Sequence, residues 1–151
     1  MPDPRQDSGD DYRLRVKPVR IACVGAVVHD PAGRLLLVRR ANPPSRGLWS
    51  VPGGRVEPGE TEPEAVRREL REETGLDLEP GRRLGSVEID AGSDGAVLDV
   101  TDYFVAATSA GEPRAGDDAD EVGWFTRAEL DGLALVPGLR DALTAWQVLP
   151  S

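Results

Sequence analysis

The sequence predicts an α+β fold in which a mixed β-sheet lies between helices. Apolar runs of strand length occupy residues 20–28 and 34–39, ahead of any helical segment. A helical segment at 62–74 then interrupts the strands, and another helix at 138–148 follows the last of them. Strands interrupted by one helix and followed by another favour a sheet covered on both faces.

The strands before the first helix are bounded by turn residues. Residues 20–28 are mostly apolar, and a predicted hairpin turn at 30–33 leads to the strand at 34–39. The middle of that second strand is continuously aliphatic, so we expect it to be buried on both faces. A short apolar run at 47–51 ends in Pro and Gly, which predicts a strand leading into a tight loop.

The helix at 62–74 carries sequence signals for both of its ends. Thr61 is the expected N-cap, and Glu64 completes a capping box. Pro63 is tolerated because it falls in the first turn. Gly75 supplies the left-handed residue that ends the helix.

The chain after this helix alternates between strands and loops. Strands are predicted at 84–90 and 96–108, joined by a flexible hairpin loop at 91–95. A loop rich in Gly, Pro and Asp, residues 111–119, precedes a short strand at 121–125.

The C-terminal region is predicted to be helical. Thr126 and Glu129 form a second capping box. The helix at 138–148 places Leu139 and Leu143 on one face, a spacing typical of core packing.

Length and composition predict one domain. A chain of 151 residues is large enough to bury a core alone. Residues 1–12, rich in Asp, Ser, Gly and Pro, are expected to be a flexible tail, which leaves 13–151 as the domain.

Charge and apolar content limit the partners. The net charge of −9 argues against nonspecific binding of polymeric nucleic acid or an anionic membrane. No apolar stretch is long enough to span a bilayer, and because residues 1–12 are polar and Asp-rich we expect no signal peptide. The single cysteine, Cys23, forms no internal disulfide and is expected to be a buried strand thiol. These features predict a cytoplasmic protein.

Two common catalytic sites are not expected in this chain. The only histidine, His29, adjoins the turn at 30–33, so we expect a surface turn residue and no Ser-His-Asp triad. The only lysine, Lys17, is not part of a Gly-Lys-Ser/Thr sequence, which excludes a P-loop.

The helix at 62–74 carries the strongest functional signal. Glu69, Glu72 and Glu73 stand at spacings that place three carboxylates on one face, where they repel one another. Oxygen ligands without nearby His or Cys suit Mg²⁺, and Mn²⁺ as well. The alternative is a solvated acidic face whose carboxylates pair with neighbouring arginines.

The residues around these glutamates complete one motif. From Gly54 to Leu76 the chain follows the pattern G-x5-E-x7-R-E-U-x-E-E-x-G-U, where U is a bulky aliphatic residue. This segment resembles the Nudix box, and residues 19–146 resemble the Nudix hydrolases. The resemblance implies an α/β/α sandwich with a loop-helix-loop catalytic motif. It also implies hydrolysis of a nucleoside diphosphate linked to another moiety, with divalent cations held by glutamates.

The resemblance extends to neighbouring residues. Glu69, Glu72 and Glu73 match the metal ligands of the family, and the carbonyl of Gly53 matches a further one. Glu60 matches a residue that supports the metal shell. In either interpretation Arg68 is expected to orient the glutamates through charge-assisted hydrogen bonds.

The general base of the expected mechanism has several candidates. In the Nudix hydrolases it is a box glutamate or an acidic residue of a later loop. Asp118, Asp120 and Glu121 are the later candidates here. We favour Glu121 because it adjoins a predicted strand, which would hold it rigidly. Solvated loop acids are the alternative interpretation.

The substrate is less clearly indicated. Subfamily marker residues are missing at 91–94, whereas residues 36–44 and 47–49 look like those of bacterial ADP-ribose pyrophosphatase-like members. We therefore expect a small-molecule nucleoside diphosphate substrate resembling ADP-ribose. A MutT-like hydrolase of oxidised nucleoside triphosphates is the nearest alternative, and a non-catalytic nucleotide sensor is the alternative of another class. No substrate-gripping residue is assigned. The resemblance implies a homodimer, because many relatives with this architecture form dimers.

Overall fold

The computed structural model describes residues 19–43, 45–90, 95–116 and 118–151. Its strands are β1 (Arg20–His29), β2 (Leu35–Arg40), β3 (Trp49–Ser50), β4 (Gly53–Arg55), β5 (Arg83–Asp90), β6 (Val97–Ala106) and β7 (Ala119–Phe125). Its helices are α1 (Glu62–Thr74), α2 (Arg127–Leu130) and α3 (Leu139–Ala145). The predicted tail at 1–12 and all of the predicted loop at 91–95 except Gly95 lie outside the described residues.

The seven strands form one mixed sheet. Its order is β3-β2-β1-β6-β5, with β4 also paired to β1 and β7 to β2. β1 and β6 run parallel along their whole length, and the other pairs are antiparallel. The predicted mixed sheet is confirmed.

The hairpin of β1 and β2 opens into a V. The two strands pair only beside their turn, at His29 and Leu35. Farther from the turn, β3 pairs with β2, and β4 pairs with β1. Because β6 occupies the other edge of β1 and β7 the other edge of β2, β4 and β3 both lie inside the V. The opening in the sheet lies between them.

Helices cover both faces of the sheet. α1 buries Ala65, Val66 and Leu70 against one face, with Val24 and Val105 of the central strands. α2 and α3 bury Leu130 and Leu143 against the opposite face. The predicted α/β/α sandwich is therefore confirmed.

The capping signals of α1 act as predicted. The Thr61 hydroxyl accepts a hydrogen bond from the Glu64 backbone N–H at 3.2 Å, and the Thr61 N–H donates to the Glu64 carboxylate at 3.0 Å. Gly75 ends the helix with φ of 75°. Replacing such an N-cap by Ala typically costs about 1 kcal/mol of stability.

Two expectations that involve the C-terminal segment need correction. The last helix ends at Ala145, short of the predicted Val148, because Gln147 adopts a positive φ of 58° and turns the chain. His29 lies at the end of β1 and is partly buried, with Nε2 2.8 Å from the Val148 carbonyl oxygen. It is therefore a packing residue that ties β1 to the C-terminal segment.

The burial predicted for the first two strands is confirmed. Residues 35–38 of β2 are all buried, and Cys23 of β1 is 6% exposed. Across the described ranges, no helix combines the length and apolar character needed to cross a membrane.

Candidate active site

A pocket of about 650 Å³ fills the opening between β1 and β2. The helix α1 supplies Glu69, Glu72 and Glu73 to its wall. The loop before β7 supplies Asp118 from the other side. The pocket thus gathers carboxylates from two separate parts of the chain.

Glu73 lies deepest among the pocket carboxylates. Its Oε2 accepts a hydrogen bond from the backbone N–H of Gly53 at 2.8 Å. Burial raises the pKa of Glu73 to about 8, and the charge of Glu69 adds to the rise, while the Gly53 hydrogen bond and the charge of Arg40 oppose it. The surroundings of Glu73 therefore disfavour its ionised form. The Gly53 N–H donates to this carboxylate, and the Gly53 carbonyl as a metal ligand remains a prediction.

Glu69 occupies a recess that only glycine leaves open. A Cβ on Gly54 would lie 2.5 Å from the Glu69 carboxyl carbon and Oε1. The Glu69 side chain is 13% exposed, and burial raises its pKa against the opposing effect of Arg68. The box glycine therefore provides the space in which this carboxylate sits.

Arg68 joins most of these groups. It donates to Glu60 at 2.8 and 2.9 Å, to Glu69 at 2.8 Å and to Glu72 at 3.1 Å. It also donates to the Arg55 carbonyl oxygen at 2.8 Å, which ties α1 to β4. Because one guanidinium bridges three carboxylates, it fixes their relative positions.

Glu60 and Glu72 differ in exposure. The Glu60 side chain is 13% exposed, and its hydrogen bonds with Arg68 lower its pKa to about 2. Glu60 also accepts a hydrogen bond from the Glu57 N–H at 3.0 Å. The Glu72 side chain is 57% exposed, so it remains accessible to an incoming ligand.

Asp118 is held in the pocket by a loop docked on α1. The Arg114 N–H donates to the Thr74 carbonyl oxygen at 2.8 Å, and the Gly116 N–H donates to the Glu73 carbonyl oxygen at 2.9 Å. These bonds serve carbonyls that the end of the helix leaves without helical partners. Asp118 then accepts a hydrogen bond from Asn42 at 3.2 Å.

The docking of this loop was not predicted from the sequence. Its one local signal is Gly116, where a Cβ would collide with the Glu72 carbonyl oxygen. A glycine in a Gly-rich loop carries no such information by itself, because the contact joins segments distant in sequence.

The structure does not bring Asp120 and Glu121 into the pocket lining. Both lie in β7 and pair with Arg39 of β2, at 2.6 Å and 3.1 Å. Their side chains are 47% and 54% exposed. Of the three candidate bases, Asp118 alone belongs to the pocket wall.

The donor set fits a divalent cation in its chemistry. The carboxylates supply hard oxygens, and two of them, Glu69 and Glu73, have pKa values raised by burial. Within the part of the chain that the structure describes, no three such side chains converge on one point suited to a metal. Mg²⁺ usually keeps several waters and needs only one or two carboxylates. Such an ion is compatible with this arrangement.

We expect cation binding at this site to strengthen as the pH rises. Glu73 has a folded-state pKa of about 8 against an ordinary 4.5, so the metal-free fold loses stability as pH rises between these values. A bound cation removes that loss because it favours the ionised carboxylate. Mg²⁺ should therefore raise the melting temperature more at about pH 8.5 than at about pH 6. An equal increase at both pH values, measured by differential scanning fluorimetry, would contradict this prediction.

Comparison with known proteins places the chain and its fold in one family. The NUDIX domain model matches residues 19–147. An ADP-ribose pyrophosphatase of Methanocaldococcus jannaschii is 40% identical over 124 residues, which cover 82% of this chain and 70% of that protein. A putative 8-oxo-dGTP diphosphatase 2 of Mycobacterium tuberculosis is 39% identical over 125 residues, 80% of this chain and 83% of that protein.

A solved structure supports the same conclusion. The MutT protein of Methanosarcina mazei Go1 superposes with a TM-score of 0.76 at 25% identity, covering 87% of this chain and 96% of that one. The complete box and the carboxylate pocket of this chain are consistent with the family that the fold and the domain model indicate. The chain belongs to the Nudix hydrolase family.

Proposed function

We propose that this protein is a Mg²⁺-dependent hydrolase that cleaves the pyrophosphate linkage of a nucleoside diphosphate derivative, with ADP-ribose-like compounds as its favoured substrates. The observation that carries the proposal is the pocket itself, in which Glu69, Glu72, Glu73 and Asp118 meet. The name of the Methanocaldococcus jannaschii relative favours ADP-ribose.

The residues of the chain have separate roles in this proposal. Glu69 and Glu73, with Glu72, would hold the divalent cation, and Arg68 keeps their carboxylates in place. When bound, such a cation would neutralise charge on the phosphates and make the attacking water more acidic. A base on the chain then removes a proton from the water that attacks phosphorus. The bond to the bridging oxygen breaks, and the nucleotide product leaves.

Asp118 is the better placed base among the later acidic residues. Glu121 pairs with Arg39 at 3.1 Å outside the pocket lining, whereas Asp118 faces the pocket carboxylates. Asp118→Asn should lower kcat by roughly a hundredfold, the usual range for loss of a general base. Glu121→Gln is the matched variant and should change kcat less than about threefold, since this exposed ion pair contributes little. Equal losses of kcat in the two variants, measured by steady-state kinetics, would contradict the preference for Asp118 over Glu121.

A second candidate function is the hydrolysis of oxidised nucleoside triphosphates. It is favoured by the relative from Mycobacterium tuberculosis, which is named as a putative 8-oxo-dGTP diphosphatase and is 39% identical to this chain. Both activities break a phosphoanhydride bond, so the same carboxylates would serve either one.

A panel assay tests the proposal. Purified protein with Mg²⁺ is incubated with ADP-ribose, NADH, diadenosine polyphosphates, sugar nucleotides and normal or oxidised nucleoside triphosphates, and the products are separated by chromatography. Cleavage of ADP-ribose with the highest kcat/KM supports the first candidate, and preference for 8-oxo-dGTP supports the second. Binding without cleavage of any compound would indicate a nucleotide sensor instead.

A further inference from the structure

The pocket has an apolar arm in addition to its carboxylates. Cys23 of β1, Leu98 of β6 and Val51 line this arm. Leu98 shares a sheet face with Val100 and Asp102, because alternate residues of a strand point the same way. Their register partners on β5 share that face as well. The arm is therefore continuous with one face of the sheet.

This face is covered at one end and open at the other. Phe104 and Leu84 pack with Trp146 beside α3 in the second core cluster. Farther along the same face, Leu98 is only partly buried, and its partner Ile89 is 42% exposed. An apolar sheet surface thus runs outward from the catalytic pocket.

Asp102 lies where the cover ends. It is 6% exposed, and its Oδ1 has no hydrogen-bond partner among the described residues. Its register partners are glycines on both sides, Gly25 of β1 and Gly85 of β5. The Asp102 carboxyl occupies the space over Gly25 where a Cβ would stand, and a Val51 methyl lies 3.3 Å from that same position. The carboxyl therefore lies directly behind the inner wall of the pocket.

An unpartnered buried carboxyl is costly to a fold, so native structures usually supply it with a partner. Burial raises the pKa of Asp102 to about 7, which reflects this lack of partners. Replacement by a similar apolar side chain would remove this cost, so the Asp at this position points to a use for its oxygen. The adjoining surface suits a flat aromatic ring, which packs on aliphatic side chains.

We propose that Asp102 determines specificity: the substrate's base lies on this apolar surface, and an exocyclic amine of that base passes Val51 to donate a hydrogen bond to the Asp102 carboxylate. The inference rests on the proposed function, because it assigns the base end of the same substrate. It favours adenine over hypoxanthine, which carries a carbonyl where adenine has its amine.

Asp102→Leu tests this assignment. The kcat/KM of wild-type protein should be higher for ADP-ribose than for the hypoxanthine analogue, and the variant should reduce that ratio by about tenfold or more, mainly through KM. Asp102→Asn retains an acceptor oxygen and should keep part of the preference. Asp99→Leu, on the opposite face of β6 with its side chain 46% exposed, is the control and should leave the ratio as in wild type.

Stability measurements separate recognition from a structural role. Asp102→Leu should also raise the melting temperature of the substrate-free protein, because a buried carboxylate oxygen without a partner among the described residues is removed. A lower melting temperature with an unchanged substrate ratio would overturn the proposal and assign Asp102 to the fold. An unchanged ratio with a higher melting temperature would overturn it as well. If no nucleoside diphosphate is cleaved by wild-type protein, it is the proposed function that fails.

Discussion

Glu73→Gln is expected to lower kcat/KM by roughly three orders of magnitude, because it removes one of the carboxylates proposed to hold the cation beside the reacting phosphates. The variant should fold normally. Gln keeps the shape of Glu, and its amide oxygen still accepts the 2.8 Å hydrogen bond from the Gly53 N–H. At high pH the metal-free variant should even melt above wild type, since the buried charge with its raised pKa is gone.

The combination of lost activity and retained or raised stability identifies Glu73 as functional. Glu79→Gln is the control, since that side chain is 76% exposed and pairs with Arg67 away from the pocket. Steady-state kinetics and thermal melts at about pH 8.5 with and without Mg²⁺ supply both readouts. Wild-type turnover by Glu73→Gln would refute the role of this carboxylate in catalysis.

Gly54→Ala should separate activity from folding by a different route. The new methyl group would lie 2.5 Å from the Glu69 carboxylate, which must move while the backbone stays in place. Displacing a catalytic group by about 1 Å typically costs on the order of a hundredfold in rate. We therefore expect kcat/KM to fall about a hundredfold with a melting temperature near that of wild type.

The neighbouring glycine provides the contrast. A Cβ on Gly53 would meet the Val24 carbonyl oxygen and lie 2.9 Å from the Gly25 Cα, so Gly53→Ala should lower the melting temperature itself. Gly132→Ala is the neutral control, because the nearest atom to its new methyl is 3.6 Å away. Similar melting temperatures for the Gly53 and Gly54 variants would contradict this explanation of the paired glycines.

Local signals in the sequence were sufficient for α1 and its carboxylates. Thr61 and Gly75 act on backbone groups within one turn of themselves, so a short stretch of sequence determines both ends of the helix. The spacing of Glu69 and Glu73 follows from helical geometry alone. These features depend on no distant contact.

Features that depend on distant contacts were not predicted. The preference for Glu121 over Asp118 rested on nearness to a strand, yet the register of β2 with β7 places Glu121 beside Arg39. The sequence did not indicate a role for Asp102 either. An alternating strand pattern shows on which face of the sheet a residue lies, but not which part of that face a later helix covers. The last helix was predicted too long for a related reason, since Gln147 turns the chain where the C-terminal segment packs on His29.

The docked loop has a consequence for the lengths that this chain tolerates between its elements. Residues 108 and 109 after β6 are exposed, so extra residues there can extend into solvent. Gly116 and Asp118 are both anchored to other segments. The Gly116 N–H donates to the Glu73 carbonyl oxygen, and the Asp118 carbonyl oxygen accepts a hydrogen bond from the Ala41 N–H at 3.1 Å. One residue inserted between these two anchors would force Asp118 away from the pocket or the loop away from the helix. The short separation of the anchors thus sets the distance between the acid on the loop and the glutamates on the helix.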